Sequence, residues 1–447
     1  MPTYDNFPVI VGAAQYVNRS DDLADAREPL EMMALVARAA EADASAEGLL
    51  ARLDSLQVVG ILGWPYPDAP GLLAKRLGAR PAHTLYSAVG GETPQRLINE
   101  TAQAIVEGRV QMALLAGAEA LHSLRLARAR GHRFDWTPRG SPLSVVGDTR
   151  PGFSEDEARH GATVPTRVYP LFENAIRAHL GISVADHQRR LGRLCARFAA
   201  VAAGNPYAWF PQARTAEEIT AVGPRNRMIC FPYPKLMNAI IETDQAAAVI
   251  LTSVANARRL GIPEDRWVYL WGCGDAVDKW FISERLNYYS SPAISKATRQ
   301  ALGMAGVKPD DVAMFDLYSC FPSAVQLALD ALGLDPDDQR PLTVTGGLPY
   351  AGGPGNNYVT HSVAATVERL RAEPEALALV TGLGWFATKH SVGVYSGRPP
   401  SGPWTRADPA ADQALIDAME SPAFSAEADG PAVIETYTVA FDREGRP

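Results

Sequence analysis

Residues 87–105 read SAVGGETPQRLINETAQAI, a double glycine running through a threonine and a proline into a helical pattern. Paired glycines reach backbone conformations closed to other residues and let a ligand come close. Thr93 reads as an N-cap and Pro94 as the first helical residue. Leu97, Thr101, Ala104 and Ile105 fall on one stripe, so the helix is expected to be buried. Its N-terminus, with free N–H groups and a partial positive charge, suits an anion or an activated nucleophile. At Gly90 and Gly91 no Cys or Ser stands there to be activated.

The flanks alternate in the α/β manner. VIVGAAQ (9–15), LDSLQVVGIL (53–62) and TLYSAV (84–89) read as strands, with a helix over Leu30–Ala44. VQMALLAGAEAL (110–121) is too apolar for a surface strand. From about Arg125 the texture turns to Arg, Pro and aromatic residues with helical pieces, which reads as an insertion. Strand and helix texture returns at TDQAAAVILTS (243–253), and a second α/β series begins near Ala293. That series repeats the opening pattern. AGGPGNNYVTHSVAATVERL (351–370), followed by EALALVTGLGW (375–385), is again a double glycine, a polar cap, a helix and an apolar strand ending in glycine. The match reads as a duplication, although βαβ units are common enough to give one such match by chance. Two related halves would share a core and aim two Gly-rich helix starts at one cleft.

The 447 residues suffice for a large core. A net charge of −8 argues against nucleic acid as the main partner. No apolar run reaches membrane-span length, and the first residues lack a signal-peptide pattern, so a cytoplasmic location is expected. The four cysteines form no CxxC pair and the eight histidines no metal-ligand spacing, so no metal is expected. GRPPSGPWTRADPAADQ (397–413) reads as a Pro-rich linker entering a polar helix, and AVIETYTVAF (432–441) as a strand.

Four segments, SAVGGETPQ, TDQAAAVILTS, DLYSCFPSAV and TVTGGLPYAGGPGNNY, together resemble the thiolase superfamily over roughly residues 8–396. VTGLGWFATKHSVGVYS and GPAVIETYTVAFD are most similar to its thiolase-like protein type 1 branch, often labelled acetyl-CoA acetyltransferase. The resemblance implies an α/β thiolase fold, a duplicated five-layer αβαβα with a loop-domain insertion. It implies an N-terminal half over 1–290 with the insertion at about 120–235, and a C-terminal half over 291–400. The linker and the first strand of a C-terminal domain would fill 401–447. It also implies coenzyme A as part of an acyl-CoA substrate or product.

The residues depart from the pattern where chemistry should sit. The family's nucleophilic Cys falls on Gly91, the His of its Gly-His-Pro element on Gly353, and its acid/base Cys on Val380 or Thr381. Tyr318-Ser319-Cys320-Phe321 replaces the His-Asp-Cys-Phe of sterol-carrier thiolases. A covalent route through Cys at Gly91 is therefore closed.

Four catalytic candidates remain. Tyr318 stands where the family polarises the thioester carbonyl, against the reading of a buried Tyr bonded to backbone. Glu92 is a base in the cavity or simple dipole compensation. His390 suits proton transfer near neutral pH or a backbone hydrogen bond, and Cys320 is a nucleophile or an inert buried thiol. Gly90, Gly91, Gly353, Asn356, Asn357 and Lys389 are the substrate or CoA-binding candidates. The two Asn are also expected to cap the second helix, and Lys389 to be solvated. His361 reads as a core residue. Arg225, Arg227 and Lys235 suit the phosphates of CoA.

Three functions follow: a CoA-dependent acyltransferase or C–C bond-cleaving enzyme (retro-Claisen or retro-aldol) acting on acyl-CoA or β-keto substrates without the Cys nucleophile, a non-catalytic acyl-CoA binder, or a partner subunit. The expected partners are a small-molecule thioester and either a second copy of the chain or a small OB-like protein, with no membrane.

Overall fold

A computed structural model describes residues 4–447 apart from Ala426 and Ala428. The first half supplies strands β1 (Pro8–Val17), β2 (Ser55–Val58), β3 (His83–Tyr86) and β4 (Met112–Ala120). A short hairpin, β5 (Met228–Cys230) and β6 (Tyr233–Pro234), belongs to the insertion, and β7 (Asp244–Ser253) completes that half. The second half supplies β8 (Val268–Val277), β9 (Met314–Asp316), β10 (Leu377–Gly384) and β11 (Lys389–Ser396).

Nine of these form one sheet in the order β3-β2-β4-β7-β1-β8-β11-β10-β9. The order is nearly symmetric about the β1–β8 junction. Outward from it, each half has an antiparallel pair (β1 with β7, β8 with β11). Each then has a strand that follows a glycine turn and helix, antiparallel to its inner neighbour and parallel to the next strand out. Within the sheet the halves pair through β1 and β8, where the described ladder holds Val9 with Tyr269 and Ile10 with Val268. This topology agrees with a duplication.

The helices Thr93–Val106 and Tyr358–Ala372 each pack on strands of both halves and on each other. Helix Pro29–Asp43 covers β1, β4 and β7 from outside, and helix Pro292–Ala305 covers β8 and β11. The layers are therefore helix–sheet–helix–sheet–helix. Leu97, Thr101, Ala104 and Ile105 are all buried, as their stripe requires. The helix starts one residue earlier than its cap chemistry suggests. Thr93 is its first residue, and Glu92 holds the cap position without a side-chain cap bond.

The 432–441 segment is a correction to the strand reading. It is extended and docks on the insertion through one β-bridge, Cys230 with Ala440, with Phe231 N–H donating to Val439 O at 2.8 Å. Before it, Trp404 is buried with its indole N–H on Leu270 O at 2.9 Å. Gln413 then bridges both backbone groups of Val277 at 2.8 Å.

Candidate functional site

The sequence places Gly91 where a nucleophile would project, and the surrounding atoms fill that space. A Cβ on Gly91 would lie 2.2 Å from the Tyr318 hydroxyl and 2.5 Å from Leu383 O. Tyr318 is fixed from both sides. Its N–H donates to Thr381 Oγ1 at 2.8 Å, and its ring meets Tyr358 edge-on at 5.6 Å. Two residues earlier, the buried Asp316 carboxylate accepts from Val344 N, Thr345 N, Tyr358 OH and Ser362 Oγ. That tether locks the end of β9 to the second central helix. Burial drives the Tyr318 pKa well above its ordinary value, and the neighbouring Cys320, Tyr358 and Glu92 push the same way. Its hydroxyl is thus a neutral donor and hydrogen-bonds to no described residue.

Glu92, next along the turn, is buried, as is Lys389 at the start of β11. Glu92 Oε1 pairs with Lys389 Nζ at 2.8 Å, and Nζ also donates to Val89 O at 2.7 Å. Lys389 is therefore not the solvated residue the sequence suggests. Glu92 Oε2 has no hydrogen-bond partner among the described residues. His390 follows, with Nε2 3.1 Å from Ala387 O and Nδ1 unpartnered. Glu92, Lys389 and His390 line a cleft of about 520 Å³ together with Arg96, Arg150 and Asp278. Gln413 of the C-terminal segment also contributes to its wall. Tyr318 does not line this cleft.

Burial lowers the His390 pKa to about 4, against the opposing pull of Asp278. Between the unfolded value of 6.5 and 4 the unfolded chain binds a proton that the folded chain refuses. His390 therefore costs stability as pH falls, by about 2 kcal/mol between pH 7 and 5. The expected result is that His390→Gln loses that share of the pH dependence in urea unfolding. Equal pH slopes for the two proteins would contradict it.

The second glycine turn meets the first through amides. Asn356 Oδ1 accepts from Gly90 N–H at 2.9 Å and its Nδ2 donates to Gly60 O at 2.8 Å. Asn357 Nδ2 donates to Gly117 O at 2.8 Å. Asn357 holds the N-cap position of the second helix but makes no side-chain cap bond, so the capping expectation is corrected. Gly353 donates its N–H to Ile240 O at 2.7 Å. His361 lies in the core with burial lowering its pKa to about 3. The Cys320 thiol is buried beside the Tyr169 hydroxyl, and burial pushes its pKa up to about 12. It therefore stays protonated at neutral pH.

Tyr318 and Glu92 thus border adjacent glycines of one turn, Asn356 holds that turn, and Lys389 and His390 sit at the cleft beside it. Arg96, Arg150 and Asp278 went unremarked in the sequence. Arg96 was findable, one helical turn after Glu92. The other two carry no local signal. Glu119, an acid inside an apolar strand, was also readable. It accepts from Leu62 and Gly63 N–H, and burial raises its pKa to about 7. Among the described residues no group of three or more His, Cys, Asp or Glu is placed to hold a metal, and no helix is long and apolar enough to cross a membrane.

A duplicated five-layer sheet with two central helices meeting at glycine turns defines a thiolase fold. "Thiolase C-terminal domain-like" matches residues 274–397, and "Thiolase-like protein type 1 additional C-terminal domain" matches 413–447. The crystal structure of a monomeric SCP2-thiolase like protein type 1 from Mycobacterium smegmatis is 38% identical. It covers 98% of this chain and 87% of its own, with a TM-score of 0.85. This chain belongs to that family, the type 1 SCP2-thiolase-like proteins. An acetyl-CoA acetyltransferase of Methanothermobacter thermautotrophicus is 26% identical over 297 residues, 59% of this chain and 71% of that protein. An Ltp2–ChsH2(DUF35) aldolase shares the fold at 18% identity and a TM-score of 0.66, over 88% of this chain and 98% of its own.

Proposed function

We propose that this chain binds an acyl-CoA or β-oxygenated acyl-CoA and makes or breaks a C–C bond, retro-aldol or retro-Claisen in type, without an acyl-cysteine. The observation that carries this reading is the protonated Tyr318 phenol standing in the space of the absent nucleophile. A neutral phenol beside a helix N-terminus is a donor for a thioester oxygen as it becomes an enolate. Cleaving a β-hydroxyacyl thioester (retro-aldol) needs a base on the hydroxyl proton and a donor on the thioester oxygen, and no attacking group. Retro-Claisen cleavage of a β-ketoacyl thioester needs in addition water or a free CoA thiol to add to the β-carbonyl and carry away the acyl group. Glu92, with its unpartnered Oε2, is assigned as the base. His390, neutral with Nδ1 free, is assigned to proton transfer at the cleft, and Lys389 is assigned to position Glu92 through Oε1. The glycine and Asn356–Asn357 turns shape the pocket. Arg225 and Lys235, both exposed on the insertion, are assigned with Arg227 to the CoA phosphates. The name of the methanogen relative favours a CoA thioester. Transfer of the acyl group straight from CoA to a bound acceptor uses the same donor.

The test is turnover of β-hydroxyacyl- and β-ketoacyl-CoA, read by mass spectrometry of products. Tyr318→Phe should lower kcat about 100-fold with little change in KM. An unchanged kcat would overturn the assignment.

A second reading is an acyl-CoA binder without turnover. It is favoured by Tyr318 being absent from the cleft that Lys389 and His390 line. Tight CoA binding with no product across thioesters would select it. In either case the four unpaired cysteines suit the cytoplasm. The exposed Val433 and Ile434 of the tail suit contact with a second copy or a small OB-like chain.

A further inference from the structure

A second cleft, of about 680 Å³, shares no lining residue with the one at Glu92. It lies between the turn after β2, the helix Leu121–Arg130 and the stretch at 132–139. Arg125, Arg128, Arg133 and Arg139 line it. Glu242 is its one lining carboxylate, and it pairs with Arg125 at 3.1 Å. The other three guanidiniums have no ion-pair partner among the described residues. In a chain of net charge −8, such a concentration of cations runs against the overall field.

Trp64 and Phe134 also line this cleft, and Trp136 packs against both. The Arg139 guanidinium lies 5.2 Å over the Trp64 ring. Trp64 meets Trp136 edge-on at 5.2 Å, and Phe134 stacks on Trp136 at 4.1 Å. The Trp64 indole N–H is anchored on Thr137 O at 2.8 Å, so the ring is held in place. Below, the amides of Leu62 and Gly63 are tied to Glu119.

Ring faces accept a flat heteroaromatic base, and guanidiniums accept phosphate oxygens in bidentate fashion. A concave site of this volume fits a small molecule rather than a flat protein epitope. The geometry points to a second ligand site here, for a nucleotide with two or more phosphates. That chemistry has two sources: a free nucleoside diphosphate, or the nucleotide end of a CoA molecule. The site stands apart from Tyr318 and Glu92, so its occupancy is independent of the proposed catalytic reading.

The test is titration of the intact chain with ADP, with CoA and with adenosine, followed by calorimetry and by Trp fluorescence. ADP should bind saturably, adenosine at least about 10-fold more weakly, and affinity should fall as salt rises. The variant Arg133→Ser/Arg139→Ser should weaken ADP at least about 10-fold while circular dichroism stays as in the parent chain. Trp64→Leu should abolish most of the fluorescence response. CoA competing with ADP at this cleft identifies the CoA end as a source, and ADP binding alone identifies the free nucleotide. Absence of saturable binding by both, binding indifferent to the arginine variant, or capture of an acidic peptide in their place would overturn the proposal.

Discussion

Replacing Lys389 by methionine is expected to lower the unfolding free energy by about 3–5 kcal/mol, the cost of leaving a buried charge without its partner. Glu92 and Lys389 are both almost sealed from solvent, with side-chain exposures of 3% and 9%. Glu92 Oε2 has no hydrogen-bond partner among the described residues, so removing the ammonium strips the carboxylate of the ion pair on Oε1. The helix N-terminus offsets only part of that loss. The double variant Glu92→Gln/Lys389→Met should recover most of it, since no charge is then buried. Urea unfolding of the three variants checks this. A cost below about 1 kcal/mol for Lys389→Met would mean the pair is solvated and contributes as a surface pair does.

The second large effect is at Gly91. Gly91→Ala should cost more than about 3 kcal/mol, beyond ordinary overpacking. The added carbon meets the Tyr318 hydroxyl at 2.2 Å and the backbone oxygen of Leu383 at 2.5 Å. A side chain can yield, whereas a carbonyl in β10 is held by its strand. Tyr318→Phe removes the hydroxyl clash and leaves those with the ring carbon Cζ at 2.7 Å and with Leu383 O, so Gly91→Ala/Tyr318→Phe should be modestly more stable than the sum of the single changes allows. Strict additivity would place the phenol elsewhere than against Gly91. The same crowding means that Gly91→Cys does not restore a thiolase nucleophile, because the thiol has no room to project.

The fold was readable because its signals are local. A glycine turn, a helical stripe and an apolar strand each show within about twenty residues, and the pattern recurs at 351–385. The candidate positions Gly91, Gly353 and Tyr318 came from the family resemblance and not from any local signal of their own. Pairings across the two halves have no such signal. Lys389 is drawn to Glu92 from the far half, and this contact draws the Glu92 side chain away from any capping role. Asn356 and Asn357 look like helix caps in sequence, yet their amides bridge to Gly60, Gly90 and Gly117. The tail at 432–441 has the alternation of a strand, but the edge available to it lies on the insertion.

The central claim is that thioester chemistry on this scaffold proceeds without a covalent acyl-enzyme, because Tyr318 fills the nucleophile's place. Intact-mass and peptide mass spectrometry during incubation with acyl-CoA and β-hydroxyacyl-CoA tests it most directly. The account predicts an unmodified protein mass throughout, with every cysteine peptide unchanged. An acyl group recovered on Cys320 would contradict it.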